Sequence, residues 1–102
     1  MTASSIDGVL IRGSQALPKA SQTLNHLQSN KIPFVLLTNG GGYHEEKRAQ
    51  FLSEELQTEI DASMVLQSHT PFQDLQELKD KNVLVMGGDY GNCRDVAQKY
   101  ER

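Results

Sequence analysis

Apolar and polar residues alternate along the chain in blocks that read as strands and helices in turn. Pro33 to Thr38 is a short apolar run behind a Lys-Ile-Pro punctuation, the signature of a buried strand with proline at its first residue. Ser63 to Ser68 and Asn82 to Met86 read as two further strands, the latter ended by Gly87-Gly88. Helical rhythm fills the gaps. Pro18 to Asn30 carries Ala20, Leu24 and Leu27 at spacings of four and three, with Pro18 suited to the first helical position. Glu45 to Leu56 repeats that rhythm with Ala49, Leu52 and Leu56, and Glu45 and Glu46 favour the positive end of its dipole. Thr70-Pro71-Phe72-Gln73 fits a capping box opening a helix with Phe72, Leu75 and Leu78 on one face. Asn92 to Tyr100 predicts a last helix. Strands apolar on both faces, separated by helices, predict a layered α/β fold with a parallel sheet.

The first ten residues break this rhythm. Ile6 to Ile11 holds an Asp-Gly turn of the kind that ends a strand, yet only Met-Thr-Ala-Ser-Ser precedes Ile6. The expectation is that the sheet lacks its first strand.

Composition narrows the class. The chain has 102 residues, enough for about one small domain. Ten Lys plus Arg against thirteen Asp plus Glu give a formal charge of −3, which argues against a basic nucleic-acid surface. The longest purely aliphatic or aromatic run, Phe34 to Leu37, is far short of the ~20 residues of a membrane span. A single cysteine, Cys93, allows no internal disulfide and suggests an intracellular protein. No signal peptide is visible.

Two segments carry chemistry. Ser5-Ile6-Asp7-Gly8-Val9-Leu10 is one. Leu36-Leu37-Thr38-Asn39-Gly40-Gly41-Gly42 is the other; it sets a hydroxyl and an amide at a strand's carboxyl end, then three glycines before a helix. Ligands of α/β sheets bind outside those ends, and glycines let the backbone approach an anion near a helix N-terminus. Taken alone, the second segment reads more simply as a strand ending in a flexible turn, and Asp7-Gly8 as an ordinary turn.

Together, and in this order, the two segments resemble the haloacid dehalogenase superfamily of phosphohydrolases. IDGVLIRG, LPKA, IPFVLLTNGGG, EKRAQFLSEEL, VLQSHTPF and GGDYGNCRDVA resemble its subclass IIA, which has a large α/β cap, and within it the eukaryotic cat-eye-syndrome-critical-region type. The resemblance implies a partial Rossmann-like parallel sheet, the core of this fold, truncated before the cap and the later motifs. Residues 1–82 would be partial hydrolase core and 83–102 the start of the cap segment. It also implies Mg²⁺-dependent chemistry on a small phosphorylated metabolite, and a mitochondrial or cytoplasmic location.

In that family one Asp attacks phosphorus and a second, two positions on, serves as acid and base. Carried over, Asp7 holds the acid/base position and lends its backbone carbonyl to Mg²⁺. Thr38 holds the phosphate-binding hydroxyl, with Asn39 and Gly40 beside it. The nucleophile position is Ser5, a departure. A serine brings no charge to Mg²⁺, and its phosphate ester would not turn over as an acyl phosphate does. The family's later cation and metal-binding acids lie after the cap, and Asp89 and Asp95 do not replace them. The expectation is a hydrolase fragment, inactive as this chain. The alternatives are a non-catalytic phosphate-binding or interaction module, and a short phosphatase using Ser5 or Asp7.

Other candidates read as structural. Lys47 and Arg48, on the helix after the glycines, read as surface residues. Met86 to Gly91 lacks the first glycine of a dinucleotide fingerprint. His26, His44 and His69 have no ligand spacing with each other or with Cys93, and His69 reads as a loop residue.

Overall fold

A computed structural model describes residues 1–100. Its centre is a three-stranded parallel sheet of β1 (Thr2–Ser5), β4 (Phe34–Leu37) and β5 (Val65–Leu66), in the order β1-β4-β5. Between β1 and β4 run a small antiparallel hairpin, β2 (Ile11–Arg12) and β3 (Gln15–Ala16), and helix α1 (Ala20–Ser29). Helix α2 (Glu45–Leu56) connects β4 to β5, and α3 (Asn92–Tyr100) follows. This is the expected α/β architecture with its parallel sheet.

β4 lies in the middle because it is the most apolar strand. Phe34 and Leu36 are buried, and α1 and α2 add Leu24, Ala49, Leu52 and Leu56 to the same core. The stripes of Leu24 and of Ala49, Leu52 and Leu56 thus bury the residues their helical spacing singles out. α2 runs over the predicted span. It is capped by His44, whose Nδ1 accepts from the Glu46 amide at 3.2 Å, and it ends where Gln57 turns left-handed at φ 49°. α1 starts later than predicted. Lys19 sits at its N-cap with φ 69°, so Pro18 falls outside the helix rather than at its first position.

Three expectations fail, each for a physical reason. The sheet does have its first strand. β1 pairs in parallel register with β4, Thr2 opposite Phe34 and Ser5 opposite Leu37. It escapes notice in the sequence because it is an edge strand held by backbone bonds, and Thr-Ala-Ser-Ser carries no apolar pattern. Asn82 to Met86 is not a strand. Among the described residues nothing pairs with it, and Val83, Leu84 and Met86 are 65%, 83% and 80% exposed. An apolar run becomes a strand only where a neighbour takes up its N–H and C=O groups. The predicted helix from Thr70 is two 3-10 turns, Thr70–Asp74 and Gln76–Leu78. Its cap is missing because the Thr70 hydroxyl is engaged elsewhere, donating to Glu45 at 2.6 Å and accepting from the Gln67 amide at 2.8 Å.

Candidate functional site

The site forms where β1 and β4 end. Along Ser5-Ile6-Asp7 the chain alternates outward, inward, outward, so Ile6 is fully buried while Ser5 and Asp7 are exposed. The Ile6 amide donates to the Leu37 carbonyl at 3.1 Å, extending the β1–β4 pairing by one step. The Ile6 carbonyl then accepts from the amides of Val9, Leu10 and Ile11. Gly8 closes this turn at φ +77°, a conformation that favours glycine, and its amide donates to the Ile11 carbonyl at 2.8 Å. Asp7 is therefore held at the rim of the sheet by a backbone knot.

Thr38 meets it from the neighbouring strand. Its amide donates to the Leu66 carbonyl at 3.0 Å, and its hydroxyl donates to Asp7 Oδ2 at 2.7 Å. The same hydroxyl accepts from the Gly40 amide at 2.9 Å. A short relay thus runs from a backbone N–H through a hydroxyl to a carboxylate. Of the residues singled out in the sequence, Asp7, Thr38 and Gly40 come together. Asn39 is exposed in the same loop, and Ser5 stands exposed at the end of β1, opposite Leu37.

Arg48 corrects the sequence reading. It is not a surface residue like Lys47, for its side chain is only 20% exposed. Its Nη2 lies 3.8 Å from Asp7 Oδ1, its guanidinium sits 5.7 Å from the centre of the Phe51 ring, and its buried Nε has no hydrogen-bond partner among the described residues. A signal was available. Running the Ala49, Leu52 and Leu56 stripe back one turn reaches Glu45 and Arg48, which places both on the inward face of α2.

Glu45 anchors a second polar cluster. It is 5% exposed, and its Oε1 accepts from the Thr70 and Tyr100 hydroxyls and lies 3.5 Å from His69 Nδ1. His69 Nδ1 is also 2.8 Å from the Tyr100 hydroxyl, so His69, in the turn before Thr70 as the sequence suggests, joins this network. Burial alone would raise the Glu45 pKa. Hydrogen bonds from Thr70, Tyr100 and its own amide, with His69 nearby, outweigh burial and hold it below the usual value of 4.5. Burial, then the Glu45 hydrogen bond, pushes the Tyr100 hydroxyl well above its ordinary pKa, so it stays a donor. This ties α3 to the start of α2. A carboxylate with a lowered folded pKa stabilises above its unfolded pKa, and that stability is lost as pH falls through the folded value. Stability is therefore expected to decline with acid below about pH 4.5, and urea midpoints of Glu45→Gln should decline less steeply over that range.

Gly41 joins the two clusters. A Cβ there would lie 2.8 Å from His69 Cδ2 and 3.1 Å from Ser68 Oγ, so a larger residue would push the His69 ring aside. A separate cleft of about 300 Å³, lined by Tyr43, Lys47, Asp95 and Lys99 among others, includes neither Asp7 nor Thr38.

The donor set does not by itself fit Mg²⁺, which takes about six oxygen ligands in octahedral geometry. Asp7 Oδ1 already faces a guanidinium, and Ser5 is neutral. Among the described residues no group of three or more His, Cys, Asp or Glu could hold a metal ion.

A parallel α/β sheet with an acid and a hydroxyl meeting at its carboxyl edge defines the class of fold whose ligands bind outside those strand ends. The comparisons narrow that class. The family model described as haloacid dehalogenase-like hydrolase matches residues 2–101, and the chain belongs to this family. It is 53% identical over 96 residues to a cardiolipin synthase (CMP-forming) / mitochondrial hydrolase fusion protein of Schizosaccharomyces pombe, covering 94% of this chain and 16% of that protein. It is 42% identical over 95 residues to a mitochondrial hydrolase of Saccharomyces cerevisiae, covering 93% of this chain and 26% of that protein. Among solved structures, a hypothetical protein of Pyrococcus horikoshii superposes with TM-score 0.77 at 25% identity, over 97% of this chain and 38% of that one. NagD of Escherichia coli shares the fold with TM-score 0.66 at 22% identity, over 94% of this chain and 39% of that one. The chain thus spans between about a sixth and two fifths of the lengths of these relatives. No helix among the described residues is long and apolar enough to cross a membrane.

Proposed function

We propose that this chain is the opening part of a hydrolase core that binds a phosphate ester at Asp7, Thr38 and Gly40, and that it does not turn the ester over alone. The observation that carries this reading is the Gly40–Thr38–Asp7 relay at the joined ends of β1 and β4. It brings a hydroxyl, a backbone N–H and a carboxyl group to one edge of the sheet, which supports the binding of a phosphoryl group and its leaving oxygen there. Asp7 fits the proton-transfer role on the leaving oxygen, and Thr38 fits the phosphoryl-binding role. Residues 1–82 would form the core and 83–102 the start of a cap, where the exposed run Val83 to Met86 would find its partner. The relatives named as mitochondrial hydrolases support a mitochondrial location.

Ser5 favours the reading without turnover. At the nucleophile position it offers no carboxylate, so neither an acyl phosphate nor a charged metal ligand arises there. Mg²⁺ would need oxygen ligands beyond those of this site. The same observation supports a second reading, a module that binds phosphate and performs no chemistry.

The test is release of p-nitrophenol from its phosphate ester with Mg²⁺, using the purified chain and Ser5→Asp. No release is expected from either. Release by the chain itself, lost in Asp7→Asn, would contradict the reading, and release by Ser5→Asp alone would show that the nucleophile is the one missing part.

A further inference from the structure

Arg48 is a cation whose ion pair among the described residues is a long one, to Asp7 at 3.8 Å. Its inward position costs desolvation of a charge, which proteins tolerate where that charge has a partner. Asp7 is an incomplete one. Oδ2 is taken by Thr38, and Nη2 stands 3.8 Å from Oδ1, longer than a hydrogen bond. Nε is buried and makes no hydrogen bond among the described residues. Nε and Nη2 form one edge of the guanidinium, the edge that grips two oxygens of a phosphoryl or carboxylate group side by side. Phe51 supports the plane from below.

We propose that Arg48 is the cation of the anion site, and that its Nε–Nη2 edge binds two oxygens of a phosphoryl dianion lodged beside Asp7 and Thr38. This rests on the phosphate-binding reading above and adds the group that neutralises the ligand. Among the described residues the fork makes no hydrogen bond, so swinging toward the ligand gives up only the long ion pair to Asp7. A dianion next to the Asp7 carboxylate would otherwise be repelled, and Arg48 is the cation whose guanidinium faces that carboxylate.

The probe is inorganic phosphate, titrated into the 102-residue chain by calorimetry. The variants are Arg48→Gln, Arg48→Lys, Lys47→Gln and Thr38→Val. Loss of a bidentate charge-assisted contact is expected to weaken binding about tenfold or more in Arg48→Gln. Arg48→Lys keeps the charge without the fork and should fall between it and the unaltered chain. Lys47→Gln, which removes the same charge one residue away, should bind as the unaltered chain does. Circular dichroism reports whether Arg48→Gln folds; if it does not, Arg48→Lys decides, and unaltered binding there overturns the proposal. Arg48→Gln binding normally while Thr38→Val binds weakly overturns the role of Arg48 and leaves the phosphate site standing. Equal weakening in Lys47→Gln also overturns it, since net charge alone would explain the result. An unaltered chain that binds no phosphate removes both readings together.

Discussion

Ile6→Ala is expected to cost about 2–5 kcal/mol, the range for truncating a fully buried aliphatic side chain. Ile6 is 0% exposed and belongs to the core cluster with Leu24, Leu36 and Leu52. Domains are stable by only about 5–15 kcal/mol, and small ones lie at the low end. A large share of the folding stability would therefore be lost. The same residue ties core to site, because its amide bonds to the Leu37 carbonyl and its carbonyl gathers the Asp7 turn. Urea unfolding provides the measurement. Ile6→Val is the control, expected to cost about 0.5–1.5 kcal/mol. An Ile6→Ala midpoint indistinguishable from that of Ile6→Val would show that the Asp7 turn does not rest on this side chain.

Thr38→Val is expected to have the largest effect on binding. Valine keeps the shape and removes the hydroxyl that donates to Asp7 Oδ2 and accepts from the Gly40 amide. The relay then breaks at its middle: Asp7 loses its restraint, and the ligand loses the hydroxyl that would turn its proton from Asp7 toward it. Hydrogen bonds to charged groups contribute about 1.5–3 kcal/mol, so phosphate affinity should fall about tenfold to a hundredfold. Thr38→Ser restores the hydroxyl and should recover most of that affinity. Equal losses in Thr38→Val and Thr38→Ser would assign the effect to packing instead.

Much of this was legible in the sequence, and the exceptions share a cause. β4, α1 and α2 declare themselves because their apolar residues recur at the spacing of the faces they bury. Asp7, Thr38 and Gly40 were singled out by the family that their two segments resemble in order, for locally they read as an ordinary turn and a glycine loop. β1 was not legible, since Thr2 to Ser5 contribute backbone bonds rather than apolar surface. Asn82 to Met86 reads as a strand because apolar content says nothing about whether a partner is at hand. The helix expected after Thr70 failed for a similar reason, its hydroxyl being claimed by Glu45, 25 residues earlier in the chain. Glu45, His69 and Tyr100 gather from three separate segments, and no short window contains them. Arg48 lies between these cases, for its helical stripe marks it as inward while only the folded chain shows Asp7 in front of it.

The most direct test of the central claim is where inorganic phosphate binds. Backbone amide resonances of the chain, followed by NMR during a phosphate titration, locate it residue by residue. Saturable shifts are expected at Asp7, Gly8 and Thr38 to Gly42, and they should vanish in Thr38→Val. Shifts confined to the cleft of Tyr43, Lys47 and Lys99, or no shifts at all, would contradict the claim that the ends of β1 and β4 form a phosphate site.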